Sequence, residues 1–243
     1  MMRALSSPQG AIRAVLLSQV LLAAAIVVID LRANPAAPAP GLFAPEDGPG
    51  IRPYRPDMRP AEPGTPAMRP MPSALEFTEA DETIRVTGQI AVGDADRFVR
   101  WLDETRPDAA TVSLDSSGGS VADALAIGRL IRGAGYDTVV DDGSVCFSAC
   151  PYLLAGGAQR RVTAGGSVGV HQHYFGKNTL LPAFMAVSDV QRAQASVMDY
   201  LGEMGVDLRL MVHALRTAPE DINILSQPLM QELGLTTGPD DTG

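Results

Sequence analysis

Ser148 lies in VCFSACPYLLAGGA, residues 145–158, where a short strand-like run turns into an apolar helix. Pro151 falls in the first turn of that helix, where a missing N–H is not needed. A serine at such a junction gains from the positive end of the helix dipole and has the Ala149 N–H beside it, which suits a nucleophile; an N-cap serine fits the same residues. His171 ends the short apolar run of SVGVHQHYF, residues 167–175, so its imidazole can project into a cleft at a sheet edge. A base that takes a serine proton must be neutral near pH 7, which is histidine's natural range. Alternation puts His173 on the same face, so one ring is a base and the other a bystander, or both are satisfied polar residues at a strand end. A third stretch, LDSSGGSV at residues 114–121, follows a buried strand and opens a helix. Gly118 and Gly119 let the backbone bend with its N–H groups unobstructed, as needed to hold a phosphate, a carboxylate or an oxyanion. The stretch lacks the Walker lysine and a third dinucleotide-type glycine. A plain strand-to-helix turn also accounts for it.

These residues need a scaffold of alternating strands and helices. Strands are expected at Thr83–Thr87, Ala110–Leu114, Thr138–Val140 and Ser167–Val170, from apolar or alternating runs bounded by turn residues. Helices are expected at Ala95–Thr105, Val121–Arg132, Pro182–Met204, Leu208–Leu215 and Gln227–Leu233, with a turn into a helix over Cys146–Gly156. Strand–helix alternation of this kind predicts an α/β fold with a mostly parallel sheet and flanking helices. No repeat at solenoid spacing is visible.

Composition narrows the function classes. The chain has 243 residues, 46% hydrophobic and 19% charged, enough for one buried core. Nineteen basic residues against 28 acidic ones give a net charge of −9, which argues against a basic nucleic-acid-binding surface. Residues 1–72 hold seven basic and five acidic residues, so the acidity belongs to the remainder. Two cysteines rule out a disulfide-rich scaffold and a four-cysteine zinc site. Neither a metal nor a cofactor is expected.

The first part of the chain reads as an attachment device. Residues 1–13 carry Arg3 and Arg13, and residues 14–31 begin with a 16-residue run, Ala14–Ile29, free of charge. Such a run spans about 24 Å as a helix, slightly less than a ~30 Å hydrocarbon core. It predicts a transmembrane signal anchor with its amino end in the cytoplasm and the remainder exported; a cleaved signal peptide is the alternative. Residues 32–73 form a linker, since residues 35–72 contain 12 of the 19 prolines, a density at which helix and sheet are not expected to persist. The folded domain is expected over residues 74–238, with a short tail at 239–243.

Taken in order and spacing, the three stretches resemble the proteolytic subunit of the Clp protease, within the wider crotonase-like fold. That family carries an S-P-G-G turn, a nucleophile in A-S-M-G-A-F-L-L-T-A-G-A and a histidine in I-H-Q-P. The counterparts here are Ser116-Ser117-Gly118-Gly119, Ser148 through Ala158, and Val170-His171-Gln172. Gly119 precedes Ser148 by 29 positions, as in the family, and Val86–Ile90 resembles its early L-T-G-Q-V strand. The resemblance covers residues 83–171 well and the remainder loosely. It implies Ser148 as nucleophile, His171 as general base, and the N–H groups of Gly119 and Ala149 as an oxyanion hole. It implies a peptide or unfolded protein as substrate and no cofactor.

The sequence departs from the family at the third catalytic member. With Ser226 and Gly234 matched to the family's closing serine and glycine, the expected aspartate falls on Ile222. Asp221 is then the candidate, with Glu220 behind it; the alternative is a Ser–His pair whose imidazole is oriented by a carbonyl or water. Lys177, the sole lysine, stands in the polar loop after His171, which favours histidine over a Ser–Lys mechanism. Cys146 and Cys150 flank Ser148 at a spacing that a disulfide tolerates on a helical turn, about 6 Å between Cα atoms. They either pair and lock the nucleophile turn or pack as two small hydrophobes. The readings in competition are a membrane-tethered serine peptidase, an inactive peptide-binding or scaffolding module of the same fold, and an acyl-CoA enzyme of the crotonase type. A homo-oligomer through residues 182–204 is expected if the resemblance extends to assembly, although Phe184, Val187, Val190, Val197 and Leu201 suit an internal face equally.

Overall fold

A computed structural model describes residues 8–33, 51–53, 55, 58–59, 69–173 and 183–238. The chain divides into two units, Met1–Ala44 and Pro45–Gly243. In the first, α1 runs over Pro8–Ala33, with Val20, Leu21 and Leu22 exposed. Among the described residues no helix is long and apolar enough to cross a membrane.

The second unit begins with three short strands, β1 (Ile51–Pro53), β2 (Met58–Arg59) and β3 (Arg69–Pro70). The proline-rich segment thus contributes strands where none were expected. Pro53 and Pro70 stand at strand ends, where a lost N–H costs little. Then follow β4 (Glu76–Ala80), β5 (Thr83–Ile90), α2 (Asp94–Thr105), β6 (Thr111–Gly119) and α3 (Val121–Ala134). Next come β7 (Asp137–Val140), β8 (Val145–Phe147), α4 (Cys150–Gly156), β9 (Arg160–Val162) and β10 (Ser167–Val170). The chain closes with α5 (Ala183–Glu203), α6 (Arg209–Arg216), β11 (Asp221–Ile224) and α7 (Gln227–Glu232).

Nine of the strands form one sheet in the order β1-β11-β10-β8-β6-β5-β4, with β7 beside β6 and β9 beside β7. The β5–β6, β6–β7, β6–β8, β7–β9 and β8–β10 pairs are parallel; β4–β5, β10–β11 and β1–β11 are antiparallel. The mixed α/β architecture with a mostly parallel sheet and flanking helices is as expected. Strand β6 divides its partners: Thr111–Ser113 pair with β7, whereas Ser116 pairs with Cys146 of β8. That fork carries the glycine turn at the end of β6 to the strand that leads into Ser148.

Helix α4 is the buried centre of this arrangement, with every residue from Cys150 to Gly156 inaccessible. Leu153 and Leu154 are fully buried, each worth about 1.5–3 kcal/mol relative to exposure. Its end meets α3 backbone to backbone: a Cβ on Gly156 would lie 2.4 Å from the Gly128 carbonyl oxygen. Tyr200 of α5 donates to the Tyr152 carbonyl at 2.6 Å, fixing α4 from a second side. Val197 and Leu201 are buried in the same core, so this part of α5 packs within the chain. The side chains of Phe184 and Val187, together with Lys177 and residues 239–243, lie outside the described residues.

Candidate active site

Ser148 follows β8 directly and precedes the first turn of α4, which Pro151 opens. Its φ is +60°, in the left-handed region, where an L residue pays about 1–2 kcal/mol against a right-handed conformation. Three features hold it there. The Ser148 amide donates to the Gly169 carbonyl of β10 at 3.0 Å. Cys146 and Cys150 are joined in a disulfide, their Cα atoms 5.0 Å apart, which closes a loop of five residues around the serine. Gly118 presses against it from β6, since a Cβ on that glycine would lie 2.4 Å from the Ser148 Cβ. Of the two readings of the cysteines, the structure has the paired one.

His171 follows β10, which runs parallel to β8, so both side chains leave the sheet at the same end. His171 Nε2 lies 2.8 Å from Ser148 Oγ. The ring is buried, whereas Ser148 is half-buried. Burial lowers the His171 pKa below the ordinary histidine value, and the main-chain carbonyl of Pro219 pulls the other way by favouring the protonated ring. The net direction is down, leaving the imidazole neutral at pH 7 and ready to accept a proton. His173 is not the partner of Ser148. Its Nε2 is hydrogen-bonded to the Tyr152 hydroxyl at 2.8 Å.

The glycine turn is brought to the same place. Ser116 Oγ accepts from the Gly118 amide at 3.1 Å, and Asp115 Oδ1 accepts from the Val145 amide at 3.1 Å, tying the turn to β8. A Cβ on Gly118 would also lie 2.9 Å from the Ala149 nitrogen, so the Ala149 amide borders the turn. Gly119 is exposed, at φ +143°, and a Cβ there would come within 2.2 Å of the Ile90 carbonyl oxygen. Neither glycine tolerates a side chain.

Asp221 is placed differently from the other candidates. It opens β11, half-buried, with its amide donating to the Ala218 carbonyl at 3.0 Å and its backbone paired with Pro53. Among the described residues no hydrogen bond or ion pair joins it to His171. Glu220 is exposed in the preceding turn. Ile222, at the position where the resemblance looks for an acid, is buried with Met71, Val145 and Phe147. Sequence reasoning did not single out Asp115 or Tyr152, and it named a carbonyl as an alternative orienting group without a residue. The first two carry a signal, as a buried acid and a buried tyrosine beside the candidate serine; a main-chain carbonyl carries none.

No group of three or more histidine, cysteine or acidic residues among the described residues is disposed to hold a metal ion. No protein-family model matches the chain, and no curated protein matches it in sequence. Among solved structures it is similar to a membrane-bound stomatin-specific protease, the 1510-N protein in a serine-to-alanine mutant form. That likeness has a TM-score of 0.45 and 18% identity, over 63% of this chain and 75% of the other.

Proposed function

We propose that the Pro45–Gly243 unit is a serine hydrolase that cleaves peptide bonds through Ser148 and His171. The observation that carries this reading is the 2.8 Å contact between Ser148 Oγ and His171 Nε2 at a serine held at φ +60°. A merely capping serine does not need that backbone conformation or an imidazole partner.

The chemistry follows from the geometry. Ser148 Oγ attacks the substrate carbonyl as its proton passes to His171 Nε2. The oxygen that becomes negative is met by the main-chain N–H groups of Gly119 and Ala149, where loss of one donor typically costs roughly 2.7–4 kcal/mol of transition-state stabilisation. His171 then returns the proton to the leaving amine, and water repeats the sequence on the acyl-enzyme. In this reading the main-chain carbonyl of Pro219, which favours the protonated ring, is the group that orients the imidazole. The site is then a dyad oriented by the main chain, and Asp221 is not required.

The disulfide supports an oxidising, exported compartment. The exposed apolar side chains of α1 support attachment of the chain to a membrane. The substrate class is a peptide or an unfolded protein, which reaches Ser148 in extended form.

A fluorophosphonate probe tests the reading. Labelling of the wild type and not of Ser148→Ala is the expected result, with loss of peptide hydrolysis in the same variant. A wild-type protein that is folded yet neither labels nor cleaves any of a broad set of peptides overturns it, and leaves the binding-module reading.

A further inference from the structure

We propose that the Cys146–Cys150 disulfide keeps Ser148 in its reactive conformation, so that hydrolysis runs in the oxidised protein and is lost when a small dithiol opens the bond. The inference rests on the serine-hydrolase reading. Ser148 is the middle residue of the loop that the disulfide closes, two positions from each cysteine. Three other described non-glycine residues have positive φ: Asp81, Glu82 and Arg106. All three are exposed, where a turn can relax at little cost; Ser148 is half-buried against the imidazole and cannot relax without losing it.

The other restraints are noncovalent: Gly118 packs against Ser148 and the Ala149 nitrogen, and Tyr200 holds α4 through the Tyr152 carbonyl. The Ser148 amide is held by the Gly169 carbonyl, and Cys146 is held in β8 between Ser116 and Val168. Beyond Ser148 the chain passes through Ala149 into α4, and the disulfide is the covalent tie that returns this far side to β8. Opening it removes the one covalent restraint on the first turn of α4, which lets the Ser148 hydroxyl and the Ala149 amide shift. Both move relative to His171 and the Gly118–Gly119 turn, and displacements of about 1 Å at such sites cost on the order of a hundredfold.

The redox step balances as two exchanges. One thiolate of the reductant attacks a cysteine sulfur, forming a mixed disulfide and releasing the other cysteine as a thiolate. The second thiol of the reductant then closes on the mixed disulfide and releases the first cysteine. Two electrons pass from the dithiol, which leaves as its cyclic disulfide. Both cysteines are fully buried, so the exchange waits for a local opening of the turn and is slow in the folded protein.

The test uses the full chain in three states: oxidised, reduced by dithiothreitol with both thiols counted after denaturation, and re-oxidised. A C146A/C150A double variant is the fourth sample. In each, the rate of fluorophosphonate labelling and the His171 imidazole resonances by NMR are measured. The expected result is a fall of at least about tenfold in labelling on reduction and in the double variant. It is accompanied by a shift of the His171 resonances, and both return on re-oxidation. Labelling and resonances that are the same in oxidised and fully reduced protein overturn the inference while leaving the hydrolase reading intact. A loss that accompanies global unfolding by circular dichroism also overturns it, since the bond is then a stability element alone. Absence of labelling in every state refutes the hydrolase reading; the His171 resonances then decide the positioning role by themselves, for it if they respond to reduction and against it if they do not.

Discussion

Gly118 lies so close to Ser148 that a Cβ built on the glycine would come within 2.4 Å of the serine's own Cβ. The same atom would meet the Phe147 carbonyl oxygen at 2.6 Å and the Ala149 nitrogen at 2.9 Å. The glycine therefore contacts the residue before the serine, the serine and the residue after it. Its missing side chain sets the depth at which the whole turn sits against β6.

Gly118→Ala is accordingly expected to lower the rate of fluorophosphonate labelling by about a hundredfold or more. It is also expected to destabilise the fold by about 1–3 kcal/mol through overpacking and a φ of +92°. Labelling kinetics alongside a urea melt separate the two effects. A variant as reactive as the wild type would mean that the serine turn adjusts freely, contrary to the packing seen.

The pH dependence of hydrolysis follows from His171. Its pKa is lowered by burial more than the Pro219 carbonyl raises it. The base works when neutral, so kcat/KM is expected to rise with pH through a midpoint below about 6.5 and to level off above it. A profile measured between pH 4.5 and 8.5 checks the direction. A midpoint above the ordinary histidine value would require a negative group beside the ring.

Asp221→Asn distinguishes a carbonyl-oriented dyad from a triad. In a Ser–His–Asp triad, replacing the acid by its amide lowers kcat roughly 10⁴-fold, because the imidazole takes the wrong tautomer. With Pro219 as the orienting group, the loss is expected to stay below about threefold, since β11 keeps its backbone pairing whatever the side chain. Steady-state kinetics on a common peptide substrate measure the difference directly.

How far the residues announced this arrangement depended on whether their side chains carried the information. Strand β10, Ser167–Val170, coincides with the sequence reading, and α3, α5 and α6 fall within one or two residues of it, because apolar side chains at helical or strand spacing follow burial. Strands β4, β9 and β11 were missed for the opposite reason. EFTEA and RRV are rich in charge, and DINI is too short to show a period. Alternation placed His171 and His173 on one face and was unable to separate their roles; Tyr152, which takes His173 into a hydrogen bond, does so. A main-chain carbonyl has no residue-type signature, so the sequence reading left two alternatives open, Asp221 or an imidazole oriented by a carbonyl or water. The cysteine spacing permitted a bond without requiring it, since the same two residues suit a dry core.

The second histidine gives the last prediction, which concerns stability. His173 is pushed down to about 4, first by burial and then by the like charge of His171. In the unfolded chain the same ring titrates near 6.5. Between these values the unfolded state binds the extra proton and the folded state does not, so the stability due to a neutral His173 is fully present above about pH 6.5 and is lost as the pH falls toward about 4. His171 adds a loss of the same sign. His173→Gln is expected to give up the hydrogen bond to Tyr152, about 0.5–1.5 kcal/mol at pH 7, and to flatten the fall in Tm between pH 6.5 and 4 relative to the wild type. Thermal melts of the two proteins across that range carry the test, with the surface carboxylates common to both cancelling in the difference. Parallel curves would place His173 in water rather than against Tyr152.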